Sequence, residues 1–350
     1  TRGNFIVMLQ SFDREIRRGA FQAMYDTQRK LLNTFSSLVD GQVRKQVFVS
    51  KARKFPNAIA AALHGDAVDV TVYDSLISAI HASFPIFYEY VSLRKRCLGL
   101  ERLDMYDHHV PIVSDFKLEV PFSQACDWVR AALRPLGPAY LENIERALTS
   151  RWIDVFENAG KRSGAYSGGC YDSPPFVLLN HQTDLNSAFT LAHELGHSMH
   201  TLLSNKQPYE LSQYRIFVAE IASTVNEGLL QAHLLSTTTD RRMRAYLLNN
   251  HADEFRTTIF RQTMFAEFEK TIHARVEAGD ALTPDLLCDL YYDLNKLYYG
   301  PDVDADRRIA IEWSRIPHFY YNFYVYKYAT SMCIAERVVQ TIIRGEPGAV

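Results

Sequence analysis

The chain has 350 residues, of which 47% are hydrophobic, and sets 38 Lys and Arg against 40 Asp and Glu for a formal net charge of -2. That is apolar material for a large core, in one domain or in two closely joined ones. The near-neutral balance argues against a nucleic-acid partner, and the basic stretches Arg14 to Arg18 and Arg94 to Arg102 read as solvated helix faces because carboxylates are interspersed. No apolar run approaches the length a bilayer needs, and Asp13, Glu15 and Arg17 interrupt the early apolar residues where a leader would lie. A soluble chain with no membrane partner is expected. Five scattered cysteines, Cys97, Cys126, Cys170, Cys288 and Cys333, lack a C-x-x-C pair, which suits a reducing, cytoplasmic setting with thiols as small core residues.

Asn4 to Val39 reads as one long helix whose apolar stripe runs from Phe5 and Leu9 to Leu31 and Phe35. Asp40-Gly41 marks a turn, and Val43 to Phe55 is another helix, stopped by Pro56. Helices over Asn57 to Leu63 and Val72 to Leu103 flank the Gly65-Asp66 turn. Asp69 to Asp74 reads equally as strand or as a helix start capped by Thr71. Between Met105 and Phe122 the helical period lapses, and the alternation of Val110, Ile112, Phe116, Leu118 and Val120 predicts short strands. His108 and His109 open this stretch; adjacent side chains point to different sides, so surface or hydrogen-bonded histidines are expected.

Helices resume over Ser123 to Leu133, with Ser123 as cap, and over Pro138 to Trp152. The loop from Gly160 to Pro175 is rich in Gly, Ser and Tyr and is as much a candidate for substrate contact as for decoration. Phe176 to Asn180 forms a short apolar strand. After two further helices come helical spans over Asp240 to Ala278, Pro284 to Tyr299 and about Phe319 to Arg344, with a break at Gly300-Pro301-Asp302. The fold class is mainly α, many helices with a small β-sheet beside the active site.

The chemistry concentrates in His193-Glu194-Leu195-Gly196-His197. Phe189, Ala192, Leu195, Met199 and Leu202 recur at three-and-four spacing, so Ser187 to Leu203 is helical and both imidazoles face one side. Two histidines one turn apart are a claw for a metal, and catalytic Zn²⁺ wants three protein ligands and an open position. Glu220 is the favoured third ligand. It lies on a second amphipathic helix among Ile216, Val218, Ile221, Val225, Leu229 and Leu230, where a carboxylate needs a dication to justify its place. His200 competes for the role, sharing a face with His193 and His197, but it sits on the same straight helix, and geometry favours Glu220. Glu194, next to a ligand, reaches a water on the metal and serves as general base. Ser223 and Glu227 are candidates for hydrogen bonds that orient the ligands, with a solvent-facing role the alternative for Glu227.

Four separated segments carry a resemblance: Phe176 to Asn180, Ala192 to His200, Phe217 to Ser223, and the tyrosine-rich Ile316 to Tyr328. Together, in this order, they are similar to the oligoendopeptidase F branch of the thimet oligopeptidase-like (M3) zinc metallopeptidases. The resemblance runs from about Arg18 onward. It implies a zincin-type catalytic domain with one Zn²⁺, short peptide substrates, and helices that wall a channel excluding folded proteins. In such peptidases a strand like Phe176 to Asn180 is an edge strand that pairs with the extended substrate. The resemblance further implies that His318, Tyr321 and Tyr328 line the site opposite the zinc and stabilise the oxyanion, with Tyr320, Tyr324 or Tyr326 as alternative donors. If Phe319 to Tyr328 is helical or turn-helix, Tyr321, Tyr324 and Tyr328 share one face. Family members are longer at both ends, so the chain corresponds to their catalytic portion or to a truncated copy.

The expected organisation is a single catalytic region over 1–350, with a helical scaffold over 1–105 and a zinc-peptidase core over 106–350. The expected function is a zinc-dependent endopeptidase acting on internal bonds of short, unstructured oligopeptides. Two readings stay open: an exo-acting zinc peptidase, and a peptide-binding scaffold with little turnover. The sequence leaves self-association into a homo-oligomer open.

Overall fold

The computed structural model describes residues 2–113 and 118–350. It opens with α1 (Arg2–Leu9), α2 (Arg14–Arg29), α3 (Leu32–Ala52), α4 (Ala58–His64), α5 (Val70–Ala82) and α6 (Phe84–Cys97). Next come α7 (Phe122–Ala132), α8 (Pro138–Thr149), and the strands β1 (Ile153–Asp154), β2 (Tyr166–Gly168) and β3 (Phe176–Leu178). The remaining helices are α9 (Leu185–Ser204), α10 (Ile216–Thr237), α11 (Arg241–Glu254), α12 (Arg261–Glu277), α13 (Pro284–Tyr299) and α14 (Tyr326–Ile343). The fold is mainly α, as expected, with 69% of the described residues helical.

The chain divides into two compact units, one of residues 1–114 and 251–329, the other of 115–250 and 330–350. In the first, the single helix expected over Asn4 to Val39 is three. The chain breaks before Asp13, whose side chain accepts the Glu15 N–H and starts α2 afresh. The turn expected at Asp40-Gly41 is absent, and α3 runs through it. Asp40 pairs with Arg44 one turn on and accepts the Leu282 N–H at 3.1 Å, so its side chain is engaged in bonds that hold the helix in place. Asp69, rather than Thr71, caps α5 by accepting the Thr71 N–H. Phe21, Tyr73, Phe268, Tyr291, Trp313 and Phe319 are buried in this unit.

The strands expected between Met105 and Phe122 do not form among the described residues; Phe116 lies outside them. Met105–Asp107 is instead a 3₁₀ turn, closed at its start by a reciprocal pair of side-chain caps from Asp104 and Asp107. Asp107 is then fixed by Arg14 and Arg17 at 2.8 and 2.7 Å. Local capping and an ion-pair triad in which Asp107 and Arg17 are buried outweigh the alternation of apolar residues. His108 is neither at the surface nor hydrogen-bonded: it is 1% exposed and both ring nitrogens lack a partner.

In the second unit, α7 begins one residue ahead of the expected Ser123 cap, with Pro121 at the N-cap, and α8 ends at Thr149. A core of Val129, Ile144, Leu191, Leu195, Leu229, Leu230 and Val339 gathers α7, α8, α9, α10 and the end of α14. The small sheet has the order β1-β3-β2. β3 runs parallel to β1 (Ile153↔Val177) and antiparallel to β2 (Ser167↔Val177). The apolar strand at Phe176 is therefore the central strand and not an edge, because the glycine- and tyrosine-bearing loop before it folds back as β2. The expectation that cysteines serve as small core residues holds only for Cys126; Cys97, Cys170 and Cys333 are exposed, and all five are free thiols. Among the described residues no single helix is long and apolar enough to cross a membrane.

Candidate active site

Helix α9 starts where Asp184 accepts the Ser187 N–H at 2.8 Å, two residues earlier than the apolar period predicts. Its Ala188, Leu191, Ala192, Leu195 and Met199 are buried in the unit's core. His193 and His197 are thereby left on a half-buried face, their side chains 27% and 17% exposed. Opposite them runs α10. The two helices approach so closely at Gly196 that no side chain fits there: a Cβ would lie 2.6 Å from the Ala222 carbonyl oxygen. Asn226 on α10 donates to the Ala192 carbonyl at 3.1 Å and accepts from Tyr140 on α8, which fixes the register of the pair.

This packing brings Glu220 to the histidines. Both Nε2 atoms lie 3.4 Å from the same Glu220 Oε2, and the three ligand atoms fall within 4.8 Å of one another. Ser223, one turn further, donates to Glu220 Oε2 at 3.1 Å and aims the carboxylate. Behind the cluster, Glu227 Oε1 sits 3.3 Å from His193 Nδ1. Burial disfavours charge on His193, but its hydrogen bonds to Glu220 and Glu227 override this and raise the imidazole to about 10. The same histidines, His193 and His197, hold the Glu220 carboxyl well below the usual carboxylate range. Two carboxylates around a pair of imidazoles make a place that favours a cation.

Glu194 does not join the cluster. It is 6% exposed, its Oε2 has no hydrogen-bond partner, and burial raises its pKa. A carboxylate kept buried and unpaired beside a cation site is disposed to take a proton. His200 also stands apart: its ring stacks on Tyr214 at 3.8 Å between centroids, and burial lowers its pKa. Cys170 has no basic side chain as a partner among the described hydrogen bonds; its backbone N–H bonds Ser173.

His318, Tyr321 and Tyr328 belong to the first unit. They do not lie on one helix. After the short turn Pro317–Tyr320, Asn322 and Phe323 take positive φ of 55° and 58°, and α14 begins only at Tyr326. The turn nevertheless gathers the rings: His318 lies 5.8 Å from Tyr321, 5.6 Å from Tyr328 and 6.3 Å from Tyr324 between centroids. Tyr328 Oη and His318 Nε2 are 3.4 Å apart. Of the alternative donors, Tyr326 is buried against Tyr73, and the Tyr320 carbonyl accepts from Gln42.

Sequence reasoning missed Gly196, Asn226 and the tie between Ser167 Oγ on β2 and Ser198 Oγ on α9 at 2.8 Å. The glycine inside an otherwise helical pattern was the one available signal, since such a residue costs about 1 kcal/mol against Ala unless packing requires it.

The family model for Peptidase family M3 matches residues 7–349. The chain is 45% identical over 349 residues to Oligopeptidase PepF of Bacillus subtilis, covering 99% of this chain and 52% of that protein. It is 42% identical to Group B oligopeptidase PepB of Streptococcus agalactiae, again over 99% of this chain and over 58% of the relative. The crystal structure of oligoendopeptidase-F from Enterococcus faecium superposes with a TM-score of 0.80 at 36% identity, covering 100% of this chain and 56% of that one. The chain thus spans a little over half the length of these relatives. Matched by the family model along nearly its whole length, it belongs to peptidase family M3.

Proposed function

We propose that the chain is the catalytic portion of a zinc-dependent endopeptidase that cleaves internal bonds of short, unstructured oligopeptides. The observation that carries this reading is the convergence of His193 Nε2, His197 Nε2 and Glu220 Oε2 from α9 and α10. The donor set fits Zn²⁺: two imidazole nitrogens and one carboxylate oxygen, all partly exposed, so that a fourth position faces solvent. Members of the family are in general zinc metallopeptidases. One zinc ion held by His193, His197 and Glu220 would supply Lewis acidity, polarising a peptide carbonyl and lowering the pKa of water to roughly 7.

Glu194 takes the proton of the attacking water and returns it to the leaving amine nitrogen, one carboxylate serving both halves of the reaction. Its buried, unpaired Oε2 supports that role. Glu227 holds the His193 ring by its Nδ1 and fixes the tautomer that presents Nε2 to the metal. For the oxyanion we assign donors from the ring cluster, His318, Tyr321 and Tyr328, with Tyr324 a further candidate. The extended substrate pairs with the outer side of β2, which the Ser167–Ser198 hydrogen bond ties to the metal helix. Five free thiols support a reducing, cytoplasmic setting.

A quenched fluorescent peptide blocked at both ends, incubated with and without chelator, tests the reading. Internal cleavage abolished by chelation and restored by zinc is expected. Cleavage only when an end is left free would establish exo-action, and binding without cleavage would establish a scaffold.

A further inference from the structure

The first unit contains a second polar cluster that the proposed chemistry does not use. A small cavity of about 20 Å³ is lined by His108, His109, Arg256, Arg261, Glu312 and Arg315, with aromatic and aliphatic side chains around them. One water-sized sphere needs about 10–15 Å³, so the space holds a single small species.

The charges around it do not balance. Arg94 and Arg256, 0% and 4% exposed, share one carboxylate, Asp253. Arg261 and Arg315 share another, Glu312. Four guanidiniums against two carboxylates leave two positive charges in excess among the described residues. Both carboxylates are heavily engaged: Glu312 also accepts from Tyr25 at 3.0 Å and from Tyr291 at 2.7 Å. His108 lines the same cavity, its ring 4.7 Å from that of Tyr299, with both nitrogens unpartnered; Arg315 Nε is likewise buried and unpartnered. Burial first, then the nearby arginines, lowers the pKa of both histidines, so they stay neutral and each retains an N–H to donate.

The backbone adds an independent observation. Between α11 and α12 the helix widens into a π-turn over Phe255–Phe260. In a regular α-helix, residues five apart point well away from each other; an i→i+5 turn brings Arg256 and Arg261 toward one side. Such turns recur at functional sites. Here it places two guanidiniums at one cavity.

We infer that this cavity is a binding site for a small monovalent anion of halide size, held by Arg256 and by the unpartnered His108 and Arg315 groups. An anion accepts hydrogen bonds only, which suits the free Arg315 Nε–H and the one N–H of neutral His108, and it offsets a positive excess that is costly to leave uncompensated away from water.

The test is thermal unfolding of the full chain at constant ionic strength, with chloride exchanged stepwise for gluconate. A hundredfold rise in chloride should raise Tm by roughly 3–6 °C, because an anion that binds only the folded chain stabilises it by mass action. Arg256→Met should abolish the rise, and Arg275→Met, which alters an exposed arginine, should retain it. Should Arg256→Met fail to fold, crystals of the unaltered chain grown in bromide decide the matter. An anomalous peak between His108 and Arg256 supports the site. A cavity that holds water alone, or a Tm that responds to chloride and gluconate alike, overturns it.

Discussion

A Cβ added to Gly196 would lie 2.5 Å from the Cα of Ser223. The obstacle is backbone, which cannot swing aside, so the closeness of α9 and α10 depends on this one missing side chain. Since Glu220 is one turn from Ser223, the same closeness sets the reach between Glu220 and the two histidines. Gly196→Ala should therefore act against its own helix propensity, a gain of about 1 kcal/mol. Overpacking should cost about 1–3 kcal/mol and pull Glu220 away from His193 and His197. Urea unfolding together with bound-zinc analysis should show stability and metal content falling together; a variant that keeps its zinc would show that the helix gap does not control the site.

Glu227 approaches His193 from the side away from Glu220. A carboxylate in that position fixes the ring and increases its basicity toward a metal. Glu227→Gln should weaken zinc affinity about 10–100-fold, as measured by competition against a calibrated chelator. The solvent-facing alternative that the sequence left open does not describe the place of Glu227 beside His193, and unchanged affinity would show that this contact does not tune the metal site.

Replacement of Glu194 by Gln removes the proton acceptor while keeping shape. Turnover of the quenched peptide should fall by about 10²–10⁴-fold, with one zinc per chain retained. Full turnover in the variant would refute Glu194 as the base.

Glu269 is buried at 0% exposure; its Oε1 accepts the Phe323 N–H at 2.7 Å and its Oε2 has no partner. It thereby anchors the positive-φ turn that gathers the tyrosines. Burial pushes its pKa up to about 8 from the ordinary 4.5. Between those values the folded chain holds a proton that the unfolded chain has released, so stability declines as pH rises, by up to ~1.4 kcal/mol per unit. His108, His109 and His273 have lowered pKa values and act in the opposite sense, adding stability as pH rises toward 6.5 and nothing beyond it. Glu269→Gln keeps the bond to Phe323 and removes the titration. Denaturant melts from about pH 6.5 to 8 should show a shallower decline in the variant than in the unaltered chain. Parallel curves would show that Glu269 is already ionised in the folded state.

The periodic elements were legible because helices of this size carry their own signals. Pro284 and Gly300 delimit α13 as read, and the apolar stripe of α9 orients His193 and His197 by its period alone. The carboxylate among the apolar residues of α10 pointed to Glu220 for the same reason. What failed depended on distant partners. Asp40-Gly41 looks like a turn until Leu282 and Arg44 engage Asp40. The alternating residues after Met105 look like strand until Arg14 and Arg17 engage Asp107. Strands of two or three residues, as in β1 and β2, have no period to read, so nothing in the pattern corrected the edge position that the resemblance implies for β3. The tyrosine cluster was legible as a set but not as a shape, because its positive-φ turn rests on Glu269, some 50 positions earlier in the chain.

The central claim is a metal held by groups from two helices, and anomalous scattering at the zinc edge from a crystal of the zinc-loaded chain tests it most directly. One peak is expected, at about 2.0–2.2 Å from His193 Nε2, His197 Nε2 and a Glu220 carboxylate oxygen. A peak ligated by His200 in place of Glu220, or no peak between α9 and α10, would contradict the account.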